Sequence, residues 1–194
     1  MPTALELAND LRQRFGELLA APVEFRNEVT LTLADPGRIA DVCRVAKEAL
    51  GFDFLVDLSG VDNLGADLRW TVVYELYGMG HGKHLRLKTH VSEEASELPT
   101  VSSVWRGANW HEREAYDMLG IRFRGHPDLR RILMWDGYPY FPLRKDFPLA
   151  GRSSEVPGVA FTRPAPLEGG PFVTVPGGPD TIAREPRVRT PEEK

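Results

Sequence analysis

The sequence predicts an α+β fold: a mixed β-sheet with helices on one face, in the order α-β-β-α-β-β-β-α, followed by an irregular extended C-terminal tail. Three observations carry that prediction. Several stretches alternate apolar and polar residues with the two-residue period of a half-buried strand, while others repeat their apolar residues at the spacing of a helix face. The two kinds of segment interleave, so helices are available to cover the apolar side of a sheet. Beyond Leu133 the periodicity is lost, and aromatic, proline and glycine residues take over.

The elements follow in order. Thr3 and Glu6 are spaced as a capping box, and Leu7, Leu11, Phe15 and Leu18 then recur on one helix face that should end near Ala20, before Pro22. Val23 to Arg26 reads as a short strand, and Glu28 to Leu33 alternates with Val29, Leu31 and Leu33 on one side. Asp35 followed by Pro36 marks a helix start. Ile39, Val42, Cys43, Ala46 and Leu50 line one face of that helix, and Gly51 ends it. Phe52 to Leu58 and Trp70 to Tyr77 alternate again, and Asp57, Asp62 and Asp67 read as turn residues between them, without the spacing of a calcium loop. Gly78 to Lys83, GMGHGK, is a hairpin loop. Lys83 stands where a dinucleotide fingerprint needs its third glycine, and a strand rather than a helix follows.

His84 to Val91 alternates cleanly, with Leu85, Leu87 and Val91 inward and a basic row of His84, Arg86, Lys88 and His90 outward, expected to face solvent. His84 and His90 lie roughly 20 Å apart along a strand, too far to share a metal. Glu93 to Glu97 is an acidic linker, and Pro99 to Arg106 is expected to form a short helix. Residues 1–149 make one α+β domain, and residues 150–194 a Pro/Gly-rich tail with sparse anchors at Phe161, Phe172, Val173 and Val175. Ordering backbone costs about 1–2 kcal/mol per residue, and one buried Phe returns about 1.5–3 kcal/mol. Such a tail is expected to be disordered alone or to wrap a partner.

Composition narrows the function classes. A formal net charge of −4 argues against broad nucleic-acid binding, which depends on neutralising phosphates. The single cysteine, Cys43, cannot supply the ligands of an iron–sulfur cluster or an internal disulfide, and its place on the apolar helix face favours a buried, inert thiol over a redox sensor. The start, MPTALELANDLRQRF, carries acids and lacks an apolar core, so no signal peptide is expected. No apolar run approaches the ~20 residues of a membrane span.

The most informative stretch is Asn109 to Leu133, NWHEREAYDMLGIRFRGHPDLRRIL. Asn109 and Glu112 are spaced as a capping box, Arg113 and Asp117 share a helix face, and Gly120 supplies the stop. Ile121 and Phe123 form a short extended segment, and a turn at Gly125, Pro127 and Asp128 leads to Arg130 and Arg131. HEREA begins like a zinc-protease helix, but Ala115 stands where the second histidine belongs. Glu112, Glu114 and Asp117 suggest paired-carboxylate chemistry, yet ion pairing with the nearby arginines explains them more simply, and His126 reads as a turn-stabilising group. Glu112, Arg113, Glu114, Asp117, His126, Arg130 and Arg131 are therefore the candidate site, read as a network that fixes the loop and carries a protein contact. No catalytic, cofactor-binding or metal-ligating residue is assigned.

This stretch resembles a known family, the NuoC family of the proton-pumping NADH-quinone oxidoreductase, respiratory complex I. The pattern is Glu112, Arg113, Glu114, Asp117, Met118, Leu119, His126, Arg130, then Ile132 and Leu133; the flanking LPTVSSVWRGANW and PLRKDFPL are also similar. The resemblance implies a cofactor-free structural and assembly subunit, peripheral on the cytoplasmic side of the cell (inner) membrane. Its implied partners are subunits D, B and I, with FMN and Fe-S clusters in partner subunits, NADH and quinone used by the whole complex, and membrane contact only through it. Two alternatives stand beside this reading. One is the equivalent subunit of a membrane-bound hydrogenase or other-donor dehydrogenase; the other is a stand-alone soluble enzyme using Glu112, Asp117 and His126.

Overall fold

The first helix is set by its cap. Thr3 Oγ1 accepts from the Glu6 N–H at 3.2 Å while Glu6 accepts from the Thr3 N–H at 2.7 Å, closing the capping box that opens α1, Ala4–Phe15. Gly16, at φ +59°, stops it earlier than the apolar spacing suggests, and Leu18 falls in a separate 3-10 turn. The computed structural model describes residues 2–148, so the tail expected at 150–194 lies outside the described residues. The chain divides into two units, Met1–Lys145 and Asp146–Lys194. Of the second, only residues 146–148 are described, in a turn and a bend.

In the first unit, β1 (Val23–Phe25), β2 (Glu28–Leu33), α2 (Ile39–Leu50), β3 (Phe54–Asp62), β4 (Trp70–Gly78) and β5 (Lys83–Val91) are followed by β6 (Glu97–Pro99), α3 (Ala108–Leu119) and β7 (Arg122–Arg124). The main sheet runs β1-β2-β5-β4-β3. It is mixed: β2 and β5 are parallel, and the other neighbours antiparallel. Parallel β6 and β7 form a second, two-stranded sheet. Leu31, Leu87, Val72, Tyr74 and Leu76 of the main sheet share one core with Leu11 of α1, Val42 and Ala46 of α2, and Ala115 and Leu119 of α3. Each large apolar side chain buried there contributes about 1.5–3 kcal/mol. A side chain at Gly60 would collide with that of Leu119, so the glycine lets the end of α3 lie flat on β3.

Alternation places β2, β4 and β5 well, but three expectations need correction. The third strand is Phe54–Asp62 rather than Phe52 to Leu58, because a bulge between Leu55 and Asp57 breaks the two-residue period and turns both Leu55 and Leu58 inward. Asp57 and Asp62 consequently lie within the strand, not in a turn. The outward row on β5 is not simply solvated: Arg86 bridges Glu75 on β4 and Glu28 on β2, and His90 Nδ1 lies 2.9 Å from Thr71 Oγ1. Pro99 to Arg106 is not a helix. Pro99 ends β6, whose buried Leu98 needs the ladder with β7, and Val101 to Trp105 then close a hydrogen-bonded turn.

Candidate functional site

The turn from Val101 to Arg106 runs directly into α3, and this changes the expected cap. Backbone bonds from Ala108 N to Trp105 O (3.0 Å), Asn109 N to Arg106 O (3.3 Å) and Trp110 N to Gly107 O (3.1 Å) occupy the first-turn donors. Gly107 is the N-cap, no side chain caps the helix, and Asn109 lies inside it. Glu112 is thereby free to turn inward. Its Oε1 accepts from Val101 N–H at 2.6 Å and its Oε2 from Thr100 Oγ1 at 2.5 Å.

Glu112 is completely buried. Burial pushes its carboxyl up to about 7, against the opposing pull of the Thr100 hydroxyl and the Val101 amide. The expected ion pairing of Glu112 with an arginine is therefore replaced by neutral donors. His126 Nε2 stands 3.8 Å away. The Asp128 N–H donates to His126 Nδ1 at 3.0 Å, so the ring proton sits on Nε2 and donates to Asn109 O at 3.2 Å. His126 thus stabilises its turn, as its setting in GHPD suggests.

Because the folded pKa of Glu112 lies above its unfolded value near 4.5, the folded chain holds a proton that the unfolded chain releases. The associated stability is complete below about pH 4.5 and is lost as pH rises to about 7. Glu112→Gln keeps a neutral acceptor in place. The substitution is expected to match the native chain near pH 4 and to exceed it by about 1–3 kcal/mol at pH 8, read from denaturant midpoints at the two pH values.

Asp117, also fully buried, is the centre of a second cluster. Its Oδ2 accepts from three consecutive backbone N–H groups, Ile132 at 3.0 Å, Leu133 at 2.7 Å and Met134 at 2.8 Å. Arg131 Nη1 donates to Oδ1 at 2.5 Å and to the Asp117 carbonyl at 3.1 Å. Burial acts to raise this carboxyl, but those amides and the guanidinium hold it below the usual carboxylate range. Arg131 Nη2 continues to Tyr140 O at 3.1 Å, and its guanidinium lies over the rings of Tyr138 and Phe141. Arg113 does not pair Asp117: it donates to the carbonyls of Arg130 and Arg131 at 3.1 and 3.0 Å. The helix thus folds the 130–134 loop onto itself through one carboxylate and one guanidinium.

The other charged side chains of the stretch face outward. The side chain of Arg130 is 68 % exposed and, among the described residues, its ion pair is with Asp128, at 2.9 Å. Arg122 and Arg124 are exposed, and Arg124 lies 3.4 Å from Glu97. Glu114 is exposed and makes no ion pair among the described residues, so ion pairing does not explain it either. Sequence reasoning missed Arg69, whose guanidinium binds both Asp62 oxygens at 2.9 Å, with each side chain 3 % exposed. The Lys145 N–H also donates to Asp62, at 2.8 Å. Among the described residues, no group of three or more His, Cys, Asp and Glu could hold a metal ion. Cys43 is fully buried and its thiol is pushed up, first by burial and then by the Glu112 charge.

This arrangement stabilises a loop and presents basic side chains around it. Residues 32–153 match the family model described as "Respiratory-chain NADH dehydrogenase, 30 Kd subunit". The chain belongs to that family. Relatives of this 30 Kd subunit family include the C 2 subunit of NADH-quinone oxidoreductase from Rhizobium etli (strain CIAT 652), 41 % identical over 187 residues and 94 % of each chain. The protein with the same description in Rhizobium meliloti (strain 1021) is 49 % identical over 69 % of this chain and 74 % of its own. A solved chain, described as Nqo5 of the trypsin-resistant fragment (1-134), has a TM-score of 0.55 at 33 % identity, covering 62 % of this chain and 95 % of that one. A chain from a membrane-bound sulfane sulfur reductase, an archaeal respiratory membrane complex, shares the fold at TM-score 0.64 and 22 % identity, over 74 % and 85 % of the two chains.

Proposed function

We propose that this chain is a structural and assembly subunit of the peripheral arm of a proton-pumping NADH-quinone oxidoreductase, holding no cofactor itself. In this reading electrons pass from NADH through FMN and Fe-S clusters in partner subunits to quinone. Subunits D, B and I surround this one, on the cytoplasmic side of the inner membrane. No described helix is long and apolar enough to cross a membrane. The observation that carries the reading is how the charged side chains between Arg113 and Arg131 are used. Asp117, Arg113 and Arg131 satisfy backbone groups of the 130–134 loop and its extension, whereas Arg122, Arg124 and Arg130 are left on the outside. A stand-alone enzyme working through Glu112, Asp117 and His126 finds no support here, since Glu112 and Asp117 are fully buried and bonded to the fold.

Arg130 tests this directly. Its side chain reaches outward, so Arg130→Glu is expected to change the stability of the chain by no more than about 0.5 kcal/mol. Charge reversal at an interface rim slows association and repels the partner, so the variant should co-purify with other oxidoreductase subunits in clearly reduced yield. A folded variant with undiminished co-purification would count against the proposal.

A further inference from the structure

The main sheet ends very differently on its two sides. Edge strand β1 has only three residues, whereas edge strand β3 has nine, and no strand pairs with its outer edge among the described residues. Natural sheets guard such edges by shortness, charge, proline or bulges, because an open row of N–H and C=O groups recruits another strand. β3 carries one bulge near Val56 and exposes Phe54, Val56 and Val61 at 50 %, 41 % and 44 %. A long, apolar edge of this kind is costly to leave in water.

Beside that edge lies a groove of about 190 Å³, with Asp57 to Gly60 as one wall and Glu114, Met118 and Leu143 on the other. Small-molecule and cofactor pockets usually run to about 300–1,000 Å³, so this one suits an inserted side chain better. Its apolar lining is bordered by two carboxylates. Asp57 lies 3.2 Å from His111 Nδ1, and Glu114 makes no ion pair among the described residues. Among the described residues, no lysine or arginine lines the groove.

We propose that the free edge of β3 receives an extended segment of another polypeptide, which adds to the sheet and inserts a lysine or arginine between Asp57 and Glu114. Backbone pairing would supply affinity, and the cation would set the register. Apolar residues beside the cation cover Val56 and Val61. The inference rests on the proposed subunit role and deepens it by naming the edge and the chemistry of the partner.

The test places the photoreactive residue benzoylphenylalanine at Ser59 of the full chain in its own cells, with a second variant carrying it at Glu24 on β1 as a control. After irradiation the tagged chain is purified and its crosslinked peptides are sequenced. Ser59 is expected to join one segment of a different polypeptide that contains a lysine or arginine flanked by apolar residues, and Glu24 is not. Glu114→Lys should lower that yield about tenfold, equivalent to about 1.4 kcal/mol, and Glu114→Gln should lower it less. The Gln variant, nearly isosteric at an exposed site, keeps the test valid if the Lys variant misfolds. No Ser59 crosslink, a crosslink to a second copy or to this chain's own C-terminal part, or a yield indifferent to both substitutions overturns the inference. A Ser59 crosslink to a basic segment of a protein outside the oxidoreductase would sink the subunit reading while leaving the docking edge intact. Co-purification with oxidoreductase subunits but no Ser59 crosslink would do the reverse.

Discussion

Asp117→Ala is expected to destabilise the domain by about 3–5 kcal/mol, the usual result of removing one member of a buried ion pair. One carboxylate serves four donors at once: the guanidinium of Arg131 and the N–H groups of Ile132, Leu133 and Met134. Alanine strands all of them, and a deserted buried donor costs more than its hydrogen bond contributed. Asp117→Asn should fall in between, since one amide oxygen can still accept from the loop but the amide nitrogen faces a cation. The dependence on acid follows from the sign of the shift. The folded carboxyl is held below its ordinary value near 3.8. Its stabilisation is therefore complete above that value and disappears as pH falls through the lower, folded pKa. Denaturant titrations of the native chain should show this acid-side loss, and those of Asp117→Ala should lack its share. A midpoint close to native for Asp117→Ala at pH 7 would remove Asp117 from the centre of the loop.

Arg69→Ala should cost a comparable amount, about 3–5 kcal/mol, for a different structural reason. Arg69 and Asp62 lie at opposite ends of the β3–β4 connection and close it with two parallel bonds of 2.9 Å. The guanidinium also rests over the Trp70 ring, 4.5 Å from its centre. Arg69 holds the Asp62 carboxyl low, against burial and with help from the Lys145 amide. Among the described residues, alanine leaves that carboxylate buried beside one remaining donor, the Lys145 N–H. The informative comparison is the double variant Arg69→Met with Asp62→Leu, because an apolar pair of similar volume often replaces a buried ion pair at little cost. The double variant should regain much of the loss, and a thermal-melt double-mutant cycle would measure the coupling. If the two losses simply add, the pair is not acting as one unit.

The fold was readable wherever one face of an element is buried without interruption. The pattern of α2 places Ile39, Val42, Cys43, Ala46 and Leu50 in the core, and β5 buries Leu85, Leu87 and Val91. It failed at β3, where the bulge shifts the phase partway along. The start of α3 departs from its capping-box spacing for a related reason. Asn109 and Glu112 have capping-box spacing, but the preceding turn had already satisfied the backbone and released Glu112 to the interior.

Within the candidate site, the chemistry of each side chain was legible and its partner was not. Asp117 and Arg113 share a helix face as expected, yet each bonds to the 130–134 loop rather than to the other. Pairs formed by chain folding over such a separation leave no periodic trace. Arg69 and Asp62 are likewise seven positions apart and joined only because β3 and β4 pair. The division between a half-buried Arg131 and an exposed Arg130 depends on which of two adjacent arginines faces Asp117, and no local signal decides it.

The proposed role of this polypeptide is to hold neighbouring subunits together. Its most direct test is to purify the tagged full-length chain from native membranes with mild detergent and to identify every chain that accompanies it. A stoichiometric set of NADH-quinone oxidoreductase subunits is expected. Recovery of a lone monomer that turns over a substrate by itself would contradict it.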